Sequence, residues 1–326
     1  MKLSPRLQSL FSYGILEIIL VLLCIVLAFT ASGFLTADNL LNVLRNVSMQ
    51  GVIAFGMTMV IISGEIDLSV GSAVAFSGCL TAFLTQKLIG EWLTLPTPVA
   101  IAISIVVALI VGFAQGSFTG FMRNRYQVPS FITTLALMTG LSGAAELITN
   151  GFPLTPFPSG YNFIGGGYLL GIPFPALLFL LTFALLQFLM NYTSFGRSVY
   201  AVGGNAEAAR LSGINVRRVK TMVFGITAFL AALSGVMVSS EIMSGTATTA
   251  KGWELDVIAA VIIGGTSFLG GVGRIWGTMI GVIFLGVIMN GMTLLNVSEY
   301  WQHVVRGTII LVAVLLNLLQ KERGGR

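Results

Sequence analysis

Ten apolar runs, near residues 14–31, 43–62, 70–86, 97–121, 129–149, 169–190, 221–240, 255–269, 275–295 and 303–319, follow one another with little polar sequence between them. Each approaches the roughly 20 residues that carry a helix across a bilayer. Only 9% of the chain is charged, against about 25% in an ordinary soluble domain. The pattern predicts an all-α integral membrane protein of about ten transmembrane helices, with residues 1–326 forming a single transmembrane domain. The runs near 43–62 and 255–269 are short or interrupted, by Arg45 and by glycine pairs. They are expected to be discontinuous helices held inside the bundle.

Cation placement sets the expected orientation, because Lys and Arg collect in short cytoplasmic loops. With a cytoplasmic N-terminus, ten spans put Lys2, Arg6, Arg123, Arg125, Arg197, Arg210, Arg217, Arg218, Lys220, Arg274, Lys321, Arg323 and Arg326 inside, 13 of the 17 cations. Arg45, Lys87, Lys251 and Arg306 are the exceptions. Trp92, Trp253, Tyr300 and Trp301 fall at predicted outer boundaries, where amphipathic rings prefer to lie. Both termini are therefore expected in the cytoplasm, and the net charge of +5 reads as contact with anionic lipid rather than nucleic acid. The first run follows Lys2 and Arg6 as a signal peptide's would, but its apolar core is long and it is expected to remain as an anchor. Cys24 and Cys79 lie within runs and read as buried thiols, not as a disulfide or metal pair.

A faint internal echo crosses the chain. The GVIAF of residues 51–55 recurs as GITAF at 225–229, and the EID of 65–67 recurs as ELD at 254–256. Five runs separate the members of each pair, an odd number, so the second half would lie inverted relative to the first. Inverted repeats of this kind build transporters whose path runs between the halves.

Enzymatic chemistry has little to work with. The one histidine, His303, sits near the outer end of the last run and reads as structural. Residues 245–251 lack the glycine before Lys251 and the Ser or Thr after it that a phosphate cradle needs, and 271–276 fail the dinucleotide pattern. The chain is expected to be no enzyme and to hold no cofactor; any ATP, with its magnesium, belongs to another chain. Among the acids, Glu65 with Asp67 and Glu254 with Asp256 each open an apolar run. A charge at the bilayer centre costs about 2.5–3.5 kcal/mol, which makes such acids candidates for a gate or pathway. At a helix N-terminus the same carboxylates satisfy free amides and the dipole. Both readings stand at this point. The segment 263–274 holds five glycines and fits either a hinge that offers backbone groups to a polar solute or a tight turn. Ser69, Thr133, Thr134, Thr266, Ser267 and Asn290 could line a polar path, or could equally make helix-to-helix hydrogen bonds.

The one long polar, cation-rich interruption is 191–220. A membrane protein that receives work from a soluble partner needs an ordered cytoplasmic element, and this is the candidate. Within it, Glu207-Ala208-Ala209-Arg210-Leu211-Ser212-Gly213 matches the EAA motif of permease subunits of ATP-binding-cassette importers. It resembles that family's short coupling helix, docked in a groove of the ATPase. The resemblance makes Glu207 the polar contact, Ala208 and Ala209 the close-packing face, Arg210 a member of the same motif, and Gly213 the turn that ends the helix. The motif's usual Leu-Pro tail is missing, and Val223-Phe224-Gly225 follows instead.

The segments SGEIDLSVGS (63–72), VGGN (202–205), SGINV (212–216) and ELDVIAAVIIGGTS (254–267) look like the ribose, xylose and arabinose branch of these permeases, with the likeness running over about residues 34–316. Glu65 departs from that branch, which more often has Gly there. The resemblance implies a permease for a pentose or hexose working by alternating access in a bacterial inner membrane. Its partners would be an ATPase subunit, a periplasmic sugar-binding protein and a second copy or paralogue of the permease. The rivals are a cassette permease for branched-chain amino acids or nucleosides, and an ion-coupled secondary transporter using Glu65, Asp67 or Asp256 as its relay.

Overall fold

The computed structural model describes residues 5–324, with side chains described from 14 to 315. Helices α1 (Pro5–Thr30), α2 (Ala37–Ile62), α3 (Val70–Gly90), α4 (Thr97–Tyr126) and α5 (Ser130–Thr149) form the first half. A connection follows with the one-turn α6 (Phe163–Gly166) and a small hairpin, β1 (Tyr168–Leu169) and β2 (Ile172–Pro173), paired antiparallel. Then come α7 (Phe174–Tyr192), the short α8 (Ser194–Gly204) and α9 (Ala206–Leu211), α10 (Val216–Ile242), α11 (Trp253–Ile263), α12 (Ile275–Leu294) and α13 (Glu299–Gly324). Seven of these, α2, α3, α4, α5, α7, α10 and α12, are long and apolar enough to cross a membrane. The chain is thus a multi-pass, all-α membrane protein.

Lipid tails give apolar helices no reason to associate, so the bundle depends on close backbone contact. The inward face of α4 supplies it: Ala100, Ser104, Ala108, Gly112, Gly116 and Gly120 recur every fourth residue and are all buried. A Cβ added at Gly120 would stand 2.5 Å from the Thr221 Cα of α10, and one at Gly112 would stand 2.9 Å from the Ala228 carbonyl oxygen. Helix α10 also lies against α2 and α3. From Val47 to Ile62 every residue of α2 except Gln50 is buried, and Phe55 stacks on Phe179 of α7 with ring centroids 5.0 Å apart.

The break expected within 43–62 is absent. Helix α2 runs unbroken for 26 residues, because Arg45 turns aside to Glu241 and Tyr168 without interrupting the helix; Gly51 and Gly56 are contact points against the Phe179 ring and the Thr227 backbone. The run near 255–269, by contrast, is a broken helix. Helix α11 has 11 residues, about 16 Å, roughly half of a bilayer core. Its Ala260 faces Gly281 and its Gly264 faces Gly277, so it lies antiparallel beside the first half of α12. Residues 264–274 are not helical, and Gly265, Gly270 and Gly271 sit at φ of +87°, +85° and +75°, where a side chain would be strained.

The gap between the runs ending at 62 and starting at 70 is more than a surface turn. Val74 and Ser77 lie against Gly235 and Gly78 lies against Ser239, so α3 runs in the same direction as α10 and begins level with its middle. Residues 65–69 cover that distance in non-helical form. On the other side, residues 243–252 fold back from the end of α10, with Gly245 against Ala82 and Cys79. Gly71 in the first turn of α3 meets the Ala250 carbonyl and the Glu254 carboxylate. The first turns of α3 and α11 therefore meet deep in the bundle.

Candidate functional site

At one end of the bundle, three side-chain caps order the polar interruption. Thr193 Oγ1 accepts from Gly196 N to start α8, Asn205 Oδ1 from Ala208 N to start α9, and Asn215 Oδ1 from Arg218 N to start α10. Gly213 takes φ +86° between α9 and α10, and its N–H donates to the Arg210 carbonyl at 3.0 Å. Glu207 and Arg210 form a two-pronged pair, 2.6 and 3.0 Å, on the exposed side of α9. Hydrogen bonding to that guanidinium holds the Glu207 carboxyl below its ordinary value. The two alanines divide: Ala209 is buried against the chain's own core, whereas Ala208 is exposed beside Glu207. Leu211, 74% exposed, completes the outward face. Sequence reasoning passed it over, although a large apolar residue in so polar a stretch was the available signal.

Close behind α9, the foot of α2 is pinned. Arg123 Nε, at the end of α4, donates to Glu65 Oε1 at 2.9 Å, and Lys220 in α10 donates to the same oxygen. The Ile66 amide donates to Ser130 Oγ at 3.3 Å. One carboxylate thus ties together α2, α4 and α10. Beside it, Gly271 N donates to the Ile62 carbonyl at 2.8 Å, and Gly203 of α8 packs on that carbonyl so closely that no side chain would fit.

The remaining sequence candidates scatter. Asp67 is buried and accepts from Ser69 N and Ser69 Oγ at 2.9 and 2.6 Å, with Gln115 donating to Ser69 Oγ at 3.4 Å. It caps the approach to α3. Thr133 and Thr134 are buried in the first turn of α5, Thr266 is buried in the 264–274 segment, and Ser267 Oγ accepts from Leu269 N within that turn. Glu254 stands in the first turn of α11, its carboxylate close to Gly71 of α3. Asn290 exchanges two hydrogen bonds with Asn39, 2.8 and 3.0 Å, joining α12 to α2.

Of that set, Asp256 and Asn290 line a partly open cup of about 360 Å³ between α2, α10, α11, α12 and α13. Its other polar walls are Asn46, Gln50, Glu241, Thr293 and Arg306, with Trp253 beside them. Arg306 Nε stands 3.0 Å from Asp256 Oδ1. Glu241 faces Arg45 at 3.8 Å, and Arg45 in turn lies over the Tyr168 ring of β1, 5.1 Å from its centroid, and donates to its hydroxyl. The signal for this cup was present in the sequence. Arg45 and Arg306 are two of the four cations that break the charge rule, and Asn39, Asn42, Asn46 and Gln50 recur at helical spacing on one face of α2.

A membrane bundle with broken helices meeting in its interior, a polar cup beside that meeting point and an ordered handle at one end has the build of a transporter's membrane subunit. The chain belongs to the family described as branched-chain amino acid transport system / permease component, which matches residues 39–314. It is 42% identical to a probable ABC transporter permease protein, YphD, of Escherichia coli (strain K12), over 95% of this chain and 91% of that one. It is 43% identical to the ribose import permease protein RbsC of Bacillus subtilis (strain 168), over 91% and 90%. It is 33% identical to the xylose transport system permease protein XylH of Haemophilus influenzae, over 94% and 96%. No solved structure matches the chain.

Proposed function

We propose that this chain is the permease subunit of a bacterial inner-membrane ABC importer for a monosaccharide, a pentose or hexose. The observation that carries the reading is the likeness to import permeases named for ribose and xylose over nine-tenths of each chain. The branched-chain amino acid alternative rests on the family's description alone. In this reading the chain crosses the bilayer ten times as one membrane domain, with α1, α11 and α13 joining the seven long helices and both termini inside. An inverted repeat relates α2 and α3 to α10 and α11; the meeting of the two broken helices at Gly71 and Glu254 supports it.

The chain holds no nucleotide. A partner ATPase hydrolyses ATP with magnesium and grips the outward face of α9, namely Glu207, Ala208, Arg210 and Leu211, with Ala209 and Gly213 fixing the helix to the bundle. A second permease copy or paralogue and a periplasmic sugar-binding protein complete the machine. Glu65, held by Lys220 and Arg123, is the latch of the inner gate, and Asp67, Ser69, Thr133, Thr134, Thr266 and Ser267 are its polar surroundings.

The test is reconstitution of the permease with its ATPase and binding protein in sealed vesicles. Uptake of an aldopentose or aldohexose that requires ATP and persists with an uncoupler present is the expected result. Uptake abolished by the uncoupler at constant ATP would replace this reading with an ion-coupled carrier.

A further inference from the structure

We infer that the cup between α2, α10, α11, α12 and α13 is a monosaccharide-binding site contained within one permease chain; this rests on the importer reading and assigns it a place. A pathway through a bundle requires water-facing polar groups, and in this chain the charged residues Glu241, Asp256 and Arg306 line the same space. Its volume of about 360 Å³ lies at the small end of the ~300–1,000 Å³ typical of ligand pockets, which suits a single sugar ring rather than a larger solute.

The chemistry selects the class. Arg306 is matched by Asp256 and Arg45 by Glu241, so the cup presents charge already neutralised in pairs and keeps no free cation or anion for a zwitterion. What it does keep uncommitted is amide. Asn46 and Gln50, one turn apart on α2, make no side-chain hydrogen bond to the described residues, while neighbouring Asn39 is fully engaged with Asn290. A carboxamide offers both donor and acceptor, as a sugar hydroxyl requires. Trp253 adds a flat apolar surface for the C–H face of a ring, with its indole N–H as a polar edge. Paired charges, two free amides and one indole suit a neutral polyhydroxylated ring. The amide stripe of Asn42, Asn46 and Gln50 leads along α2 into the cup.

Because Asn46 and Gln50 support no internal hydrogen bond, replacing them tests binding without unmaking the fold. The permease in nanodiscs is titrated with tritiated D-ribose, D-xylose, L-arabinose and D-glucose, with L-leucine as the charged control. In parallel, a Trp92→Phe, Trp276→Phe, Trp301→Phe variant reports Trp253 emission. The expected result is saturable binding of at least one sugar, a Trp253 change at the same midpoint, and a tenfold or greater weakening in Gln50→Leu and in Asn46→Leu, with partial recovery in Gln50→Asn. If the full importer takes up a sugar while the permease's binding of it and Trp253 emission are unmoved by these changes, the site is wrong and the importer reading stands. Saturation by L-leucine and by no sugar would overturn the ligand class. If the reconstituted importer takes up no sugar at all, the importer reading fails and this site with it.

Discussion

Replacing Glu65 by glutamine keeps the side chain's shape and removes its charge, leaving Lys220 against a neutral amide where the Glu65 side chain is 5% and the Lys220 side chain 10% exposed. Breaking a buried ion pair from one side typically costs about 3–5 kcal/mol. Two features lower that figure here. The amide oxygen still accepts from both cations, and the Lys220 stem can carry its ammonium toward water beyond the handle. A cost of about 2–3 kcal/mol remains, equivalent to a fall in Tm of about 4–6 °C at about 2 °C per kcal/mol for a chain of this length. Arg123 supplies the internal contrast: its side chain is 32% exposed, so Arg123→Met should cost only about 1 kcal/mol. Thermal unfolding of the purified permease in nanodiscs measures each. In Glu65→Gln/Lys220→Met both charges are gone, so the loss should fall well short of the sum of the single losses. A Glu65→Gln protein melting with the parent, or losses that simply add, would refute the claim that Glu65 is the tie between α2, α4 and α10.

Gly116→Val drives a branched side chain into the Phe224 carbonyl and the Ala228 side chain of α10; we expect a loss of about 3 kcal/mol or failure to insert, read by unfolding and by membrane yield. Asn39→Leu removes both hydrogen bonds to Asn290 and should cost about 1 kcal/mol, with Asn290→Leu no worse in the Asn39→Leu background. Glu207→Lys reverses a charge on the exposed side of α9 and should leave the melting curve unchanged while ATP hydrolysis by the assembled importer no longer drives uptake; full uptake at normal membrane levels would remove α9 as the coupling element.

How much of this was legible depends on what each residue responds to. The multi-pass, all-α character was readable because lipid acts on every span separately. The handle was readable because Asn205 and Asn215 are local caps whose spacing to Ala208 and Arg218 needs no tertiary partner. The start of α3 at Val70 was legible, since the polar residues of 63–69 separate two apolar runs, but its depth was hidden: only packing against α10 reveals that the non-helical chain of 65–69 carries that start to the middle of the bundle. Arg45 misled, since a cation inside an apolar run has the same sequence signature whether it breaks the helix or, as here, turns aside to Glu241 and Tyr168. Glu65 gave no sign of its partners, because Arg123 and Lys220 lie 58 and 155 positions away. The amides of Asn46 and Gln50 were visible as a stripe on α2, but a stripe does not say whether it faces a partner helix, as Asn39 does, or a cavity.

The positions of the non-helical segments determine where such a bundle can bend. Helices α2 and α10 are continuous for 26 and 27 residues and are packed against each other along their length, so neither contains a joint. Both unwound stretches, 63–69 and 264–274, instead reach the handle, where Gly64, Gly203, Gly270 and Gly271 come into mutual backbone contact. On the proposed coupling role of α9, a push there would enter through Gly213 and α10, at the level of Lys220 and Glu65. From that point the non-helical routes inward are residues 65–69 to the start of α3, and residues 264–274 back to α11, which leads to Asp256 and Trp253 in the cup. Backbone packed on backbone has no rotamer to absorb a displacement, so movement at this glycine cluster must pass into one of those two strands or be blocked. An alanine at Gly203 removes the choice by holding Ile62 and Gly271 apart. Such a protein should keep its sugar-binding cup and lose transport, whereas an alanine at Gly204, which has open space around it, should keep both.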